Sequence, residues 1–437
     1  MKTKIGLRKW LSFIVAGLVG QLAWAIENNY LNLYVFDCTG EYTFIPIMVA
    51  ASALAATITT LLMGALSDRL GKRKAFISFG YILWGISIIL FALLNPKSSF
   101  NIVASIPLLS GTMIVIMDCV MTFFGSTAND ASFNAFVTDN TKEDIRGKVE
   151  SVLSIFPLLS MIVVVGVAGV LTNPDTNKVN WTLFFVIFGV LTLLAGTICI
   201  FLIPKDTVVA NKNETYFKNI FYGFRPTVIK SNSLLYVILL AFMIYSIGIQ
   251  VFMPYLIVYI QNVLLVVGDT FTIALVAILL TASIITVIFG LFMDRIGKNR
   301  IMVPAVLVSI AGCYLMFILD SETGLYPLLI SGIVLMTGFM VSTAVFGSKI
   351  RDYTPKNGVG LFQGIRMIFL VLLPMVTGPY IGLGVSYIQK TTYTNEYYRV
   401  VVQPNRFIFL FAGIVMLLAF IPIYIILKKE KENASVE

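Results

Sequence analysis

Histidine is absent from all 437 residues. No imidazole base, imidazole metal ligand or imidazole pH switch can operate here, so proton chemistry near neutral pH falls to carboxylates. Charge is scarce too: Asp, Glu, Lys and Arg make up 12% of the chain, against about 25% in a soluble protein. Cysteine occurs four times, at Cys38, Cys119, Cys199 and Cys313, with no pair at ligand spacing. Three of the four lie in apolar runs, as small buried hydrophobes do, and neither a disulfide framework nor a zinc site is implied. No nucleophile–base set and no nucleotide loop is present. The chain does not read as an enzyme, and no cofactor is implied.

What is present is apolar: 58% of residues are hydrophobic and the mean hydropathy is +0.91. A helix needs roughly 20 apolar residues to cross a bilayer. Twelve stretches qualify, at about 11–34, 43–66, 75–94, 103–137, 149–171, 181–203, 233–261, 271–292, 301–319, 326–348, 359–388 and 405–427. The expectation is an all-α membrane protein of twelve transmembrane helices with both termini on one side. The basic start, MKTKIGLRKW, lacks a small-residue cleavage pattern, so span 1 is expected to be retained.

Lysine and arginine fix the side. Of the 31, five fall in alternate connections (Lys97, Lys178, Lys390, Arg399 and Arg406), Arg366 lies inside a span, and all the others lie in the termini and the remaining loops. The positive-inside rule therefore predicts a cell-membrane protein with cytoplasmic termini. It also explains the net charge of +9 as an orientation signal and not a nucleic-acid footprint.

The chain repeats itself. GALSDRLGKRK (64–74) follows span 2 and GLFMDRIGKNR (290–300) follows span 8. Gly64, Asp68, Arg69, Gly71 and Lys72 match Gly290, Asp294, Arg295, Gly297 and Lys298. After spans 4 and 10 come VTDNTKEDIRGK (137–148) and IRDYTPKNGVGL (350–361), where Asp139 faces Asp352 and Arg146 is a further gate candidate. YLNLY (30–34) and YLIVY (255–259) pair in spans 1 and 7. Glycines allow a tight turn between close helices, and Asp68 can cap the next helix or pair with a base. The loops serve either as topology anchors or as a latch on the cytoplasmic gate. The duplicated loop resembles the signature loop of the major facilitator superfamily, whose fold joins two parallel six-helix repeats. That resemblance implies an N-terminal bundle over 1–204, a cytoplasmic linker over 205–231 and a C-terminal bundle over 232–437. By analogy with span 10, span 4 would begin near residue 113, which the apolar run 101–109 resists.

Polar groups inside spans usually face a cavity. Glu27 lies about four residues past the middle of span 1, roughly 6 Å toward the outside. Gln21, Trp24 and Asn28 form one stripe there, with Tyr30 beyond. Amides, a carboxylate and an indole suit a polyol, which uses hydrogen-bond forks and a flat apolar platform; a polar helix–helix contact is the competing reading. Asp130 lies in STANDASFNAFVTDNT (126–141) of span 4, as a candidate proton acceptor, sodium ligand or solvated mouth residue. Asp118 is 12 residues earlier, about 18 Å along the axis, so it cannot share a site with Asp130 and is placed near the outer mouth. Arg366 either snorkels to the interface or serves as counter-ion to a buried carboxylate. Gln363 is its neighbour, and Gln250 in span 7 is a further polar candidate.

QLAWAIE (21–27), NAFVTDNTKEDIRGK (134–148) and RDYTP…GLFQG (351–364) resemble segments of the glycoside–pentoside–hexuronide:cation symporters, in the broad sense that includes sucrose–proton symporters and the melibiose carrier. The resemblance implies sugar transport and sets Asp130 on that carrier's cation-site aspartate in span 4. Its span 2 aspartates have no counterpart, since Ser52, Ala56 and Thr60 occupy the region. That favours a proton over sodium as coupling ion. The expected protein is a monomeric proton-coupled glycoside or disaccharide symporter whose halves rock about a site lined by spans 1, 4, 7 and 10. The alternatives are an exporter of sugars or amphipathic compounds on the same fold, and a non-transporting membrane sensor.

Overall fold

The computed structural model describes residues 6–95, 107–141, 149, 152–153, 155–206, 222–355, 362–389, 392–395 and 399–434. Two compact units divide the chain, Met1–Tyr216 and Phe217–Glu437, and the division falls within the stretch 205–231. The first unit holds α1 (Leu7–Thr39), α2 (Phe44–Leu70), α3 (Arg73–Leu93), α4 (Leu108–Asn140), α5 (Phe156–Val170) and α6 (Trp181–Leu202). The second holds α7 (Ser233–Asn262), α8 (Gly268–Ile296), α9 (Lys298–Ile318), α10 (Leu325–Tyr353), α11 (Gly364–Ile388) and α12 (Phe407–Glu432). Eleven are long and apolar enough to span a bilayer, and α5 is shorter. The chain is an all-helical, multi-pass membrane protein with twelve membrane helices in two bundles of six.

Some boundaries differ from expectation. Helix α4 is already helical at Pro107, ahead of the start near 113 that the analogy with span 10 suggested; the earlier start at 103 lies outside the described residues. Helix α5 begins its continuous run only at Phe156, after Ile155. Between α11 and α12, Thr392–Thr394 (β1) and Val400–Val402 (β2) pair antiparallel, a hairpin the hydropathy pattern did not signal.

Each unit turns apolar side chains outward as well as inward. Leu54, Ile58 and Leu62 repeat every four residues along α2 and are each about half exposed. In water such a stripe would be an aggregation site; in a bilayer it is the lipid face. Inside, small residues let helices approach closely. A Cβ on Gly85 of α3 would strike the backbone of Leu193 and Gly189 in α6. Gly378 and Gly382 of α11 sit likewise against Gln250 and Val251 of α7.

Several of the described helices are irregular along their length. Widened π turns occupy Ile26–Tyr30 in α1, Ser126–Phe133 in α4 and Ile368–Leu372 in α11. A tightened turn, Met253–Tyr255, interrupts α7 at Pro254, whose ring excludes a regular i−4 hydrogen bond. Tyr255 falls opposite Tyr30 in the repeat, so both first helices break at the same place by different means.

Candidate functional site

The cluster Glu27-Asn28-Asn29 has a local cause. A π turn shifts hydrogen-bond partners and leaves carbonyls in need of donors. Side-chain amides supply them: Asn28 Nδ2 donates to Trp24 O at 2.9 Å, Asn29 Nδ2 to Ala25 O at 3.1 Å and Asn32 Nδ2 to Asn28 O at 3.1 Å. The second π turn is built the same way, with Thr127 donating to Phe123 O at 2.7 Å and Asn134 to Asp130 O at 3.1 Å.

The widened turn also separates residues that the sequence grouped. Gln21 and Trp24 stay partly exposed and Asn28 is exposed, which keeps the expected stripe. Glu27 turns away from it and is only 7% exposed. Its Oε1 accepts from Thr122 Oγ1 of α4 at 2.8 Å. Asp118 stands one turn from Thr122 on the same face of α4, where side chains four apart are about 5–6 Å from each other. It is 1% exposed, with Ser52 of α2 beside it and Glu27 within electrostatic reach. Asp118 therefore belongs with Glu27 and not alone at an outer mouth; the extra residues in the π turn bring Glu27 round to it. Two ionised carboxylates in one buried seam would repel each other, and the lower effective dielectric there enlarges that repulsion. Helices α1 to α4 bring no base to it within their spans, because Lys and Arg are absent from 11–68, 75–96 and 98–141.

Beside this pair lies an aromatic wall. Trp24 Nε1 donates to Asn129 Oδ1 at 3.3 Å, Asn129 Nδ2 to Tyr81 OH at 2.7 Å, and Tyr81 OH to Ala16 O at 2.5 Å. The Trp24 ring packs on Trp84 with centroids 5.0 Å apart. Asp130 is partly exposed and accepts from Ser126 Oγ at 3.0 Å. Tyr30, expected to touch substrate, is instead core: it is 1% exposed and packs on Phe184 of α6 at 5.4 Å, because it closes the π turn on the opposite face. Thr122, Asn129 and Tyr81 were not singled out from sequence. Thr122 carried one usable signal, its i+4 spacing from Asp118.

In the second unit Gln250 is partly exposed. Arg366 has no carboxylate partner among the described residues; the charge acting on it is that of another base, Arg351. Arg366 lies in the first turn of α11. A cavity of about 330 Å³ opens between the α7–α8 and α9–α10 connections. It is lined by Leu264, Leu328 and Asp320 among others and contains none of the expected site residues.

The loop motifs form ion pairs within each unit. Arg73 Nε meets Asp139 Oδ2 at 3.2 Å, and Arg73 Nη1 donates to Ser67 Oγ at 2.8 Å. Lys298 Nζ meets Asp352 Oδ2 at 2.6 Å. Gly71 closes α2 in the left-handed region at φ +64, and Gly64 faces Ala131 of α4. Arg69 and Arg295 are exposed. Arg146 and the side chains of Asp68, Asp294 and Gln363 lie outside the described residues.

Among curated proteins, no sequence matches the chain. Solved structures do match in fold. A D-xylose–proton symporter aligns over 95% of this chain and 97% of its own, with TM-score 0.74 and 15% identity. The nucleoside transporter NupG covers 95% and 99%, with TM-score 0.72 and 14% identity. The xylose transporter XylE from E. coli, in an inward-open conformation, covers 95% of each chain, with TM-score 0.70 and 15% identity. The model described as Major Facilitator Superfamily matches residues 10–268 and again 238–437. Together these matches cover residues 10–437 and show that the chain belongs to the Major Facilitator Superfamily, whose members are transporters and not enzymes.

Proposed function

We propose that this transporter takes up a glycoside or disaccharide together with a proton, by alternating access. One observation carries the reading: in the first unit a partly exposed stripe of Gln21, Trp24 and Asn28 lies near a seam holding Glu27, Asp118 and Asp130, in spans that carry no Lys or Arg. The stripe offers an indole face and amide groups to a sugar ring. The seam offers carboxyl groups whose charge is disfavoured by burial, so that binding a proton and binding cargo favour the same occluded state, the differential interaction a state change requires. Sugar and nucleoside transporters of the same fold, one of them a proton symporter, support the class of cargo. The asymmetry of Lys and Arg supports cytoplasmic termini in a cell membrane, and the fold functions as a monomer in a lipid bilayer with no nucleic-acid partner.

The test is uptake of a labelled disaccharide panel into proteoliposomes under an inward proton gradient. At least one sugar should accumulate when the gradient is imposed and equilibrate without it. Glu27→Gln should weaken accumulation. Accumulation that ignores the gradient, or that follows sodium, would overturn the coupling assignment. Net efflux driven by the gradient would overturn the direction.

A further inference from the structure

Glu27 and Asp118 share a defect. Glu27 Oε2 and Asp118 Oδ1 are both buried and have no hydrogen-bond partner. A buried polar atom left unpaired carries the full loss of its hydration, and such atoms are uncommon enough to require a reason. Here two occur on acids brought together by Thr122, which bonds one and lies a turn from the other. Among the described residues, the spans of α1 to α4 bring no positive charge to them. From α1 comes Glu27 itself; from α4 come Asp118, Thr122, Cys119 and, farther off, Asp130; from α2 comes Ser52. Tyr81 of α3 lies behind Asn129.

A single proton answers both unmet bonds. A protonated carboxyl donates one hydrogen bond and an ionised one accepts it. Two carboxyls held too close to ionise together titrate as a pair. Asp130 is bonded to Ser126 and partly exposed, on a different turn of α4. We propose that Glu27 and Asp118 form a dyad binding one proton between them, which is the coupling proton, and that Asp130 stands outside it. The proton enters from water on one side of the membrane and leaves to water on the other, with no other bond made or broken. Its role in transport rests on the proton-coupled reading above; the shared proton does not.

Infrared titration of the purified full chain tests this directly through the C=O band of an un-ionised carboxyl. Wild type should show one carboxyl's worth of band at neutral pH, titrating on alkalinisation and unaffected by sodium chloride. Glu27→Gln and Asp118→Asn should each abolish the whole band, because the new amide donates to the remaining carboxylate and removes its like-charged neighbour. Asp130→Asn should leave it unchanged. Thr122→Val keeps both acids and should keep the band, shifted in frequency, which guards against variants that fail to fold. Overturning results are a band halved by each single variant, a band removed by sodium, a band lost in Thr122→Val, or a band carried by Asp130. Failure of pH-driven sugar uptake with this spectrum intact would sink the transport reading alone. Absence of the band with pH-driven uptake intact would sink the dyad alone.

Discussion

Arg73, at the start of α3, reaches Asp139, at the end of α4, across 66 residues of chain to form an ion pair at 3.2 Å. The second unit repeats the bond with a shifted donor. Asp352 is the counterpart of Asp139, yet its partner is Lys298, one residue earlier in the motif than the counterpart of Arg73. That counterpart is Asn299, which donates to Glu430 of α12 at 2.5 Å. Both units thus tie the third helix to the fourth, and the second adds its last helix to the knot.

Burial makes the two pairs unequal. The Arg73 side chain is 8% exposed, against 23% for Lys298 and 49% for Asp352. Asp139→Asn weakens a bond to a shielded guanidinium and should lower stability by about 1.5–3 kcal/mol, the range for bonds to charged groups. Asp352→Asn should lower it by no more than about 1 kcal/mol, as for exposed pairs. Thermal unfolding in detergent compares them, and equal losses would contradict the ranking.

Much of this was legible in the sequence. Twelve apolar runs, duplicated loops and the skew of Lys and Arg define spans and repeat, because a bilayer demands length and apolarity that composition displays plainly. The polar residues inside spans were visible for the same reason. Where each pointed was not. A regular helix at 3.6 residues per turn places Glu27 near Trp24, but a five-residue π turn at Ile26–Tyr30 changes the rotation within that segment. Axial spacing separates Asp118 from Asp130 on one helix, but a partner across the seam, such as Glu27, leaves no mark in local spacing. The same holds for Lys349 and Glu430, 81 residues apart.

Lys349 is 3% exposed and its Nζ meets Glu430 Oε1 at 2.7 Å, where Tyr353 OH also donates at 2.7 Å. Removing one partner of a buried pair strands the other charge and typically costs about 3–5 kcal/mol, whereas replacing both with apolar residues is often neutral. Glu430→Gln should therefore destabilise strongly, and Lys349→Met combined with Glu430→Leu should recover most of the loss. A double variant worse than Glu430→Gln in the same unfolding assay would refute this.

The amides of the α1 turn are expected to act on stability before function. Asn29 Nδ2 serves the Ala25 carbonyl, so Asn29→Ala should cost about 1 kcal/mol, the usual net value of one hydrogen bond. Asn29→Gln, too long for the same geometry, should not rescue it. Cargo affinity, read from counterflow, should change less than about twofold in either variant, under roughly 0.4 kcal/mol; a larger change would place Asn29 in contact with cargo.

Trp24 carries two separable contributions, an indole face and an N–H. Its Nε1 bond to Asn129 is 3.3 Å long, while Asn129 keeps its shorter bond to Tyr81. Losing the indole N–H alone should therefore matter little. The ring is the larger share, since an aromatic contact adds about 0.5–1.5 kcal/mol beyond its area and the buried area adds more. Trp24→Phe should raise the cargo concentration for half-maximal counterflow by under about threefold, and Trp24→Ala by about tenfold, corresponding to roughly 1.4 kcal/mol. Equal effects from the two substitutions would mean that the hydrogen bond to Asn129, and not the face of the ring, holds the sugar.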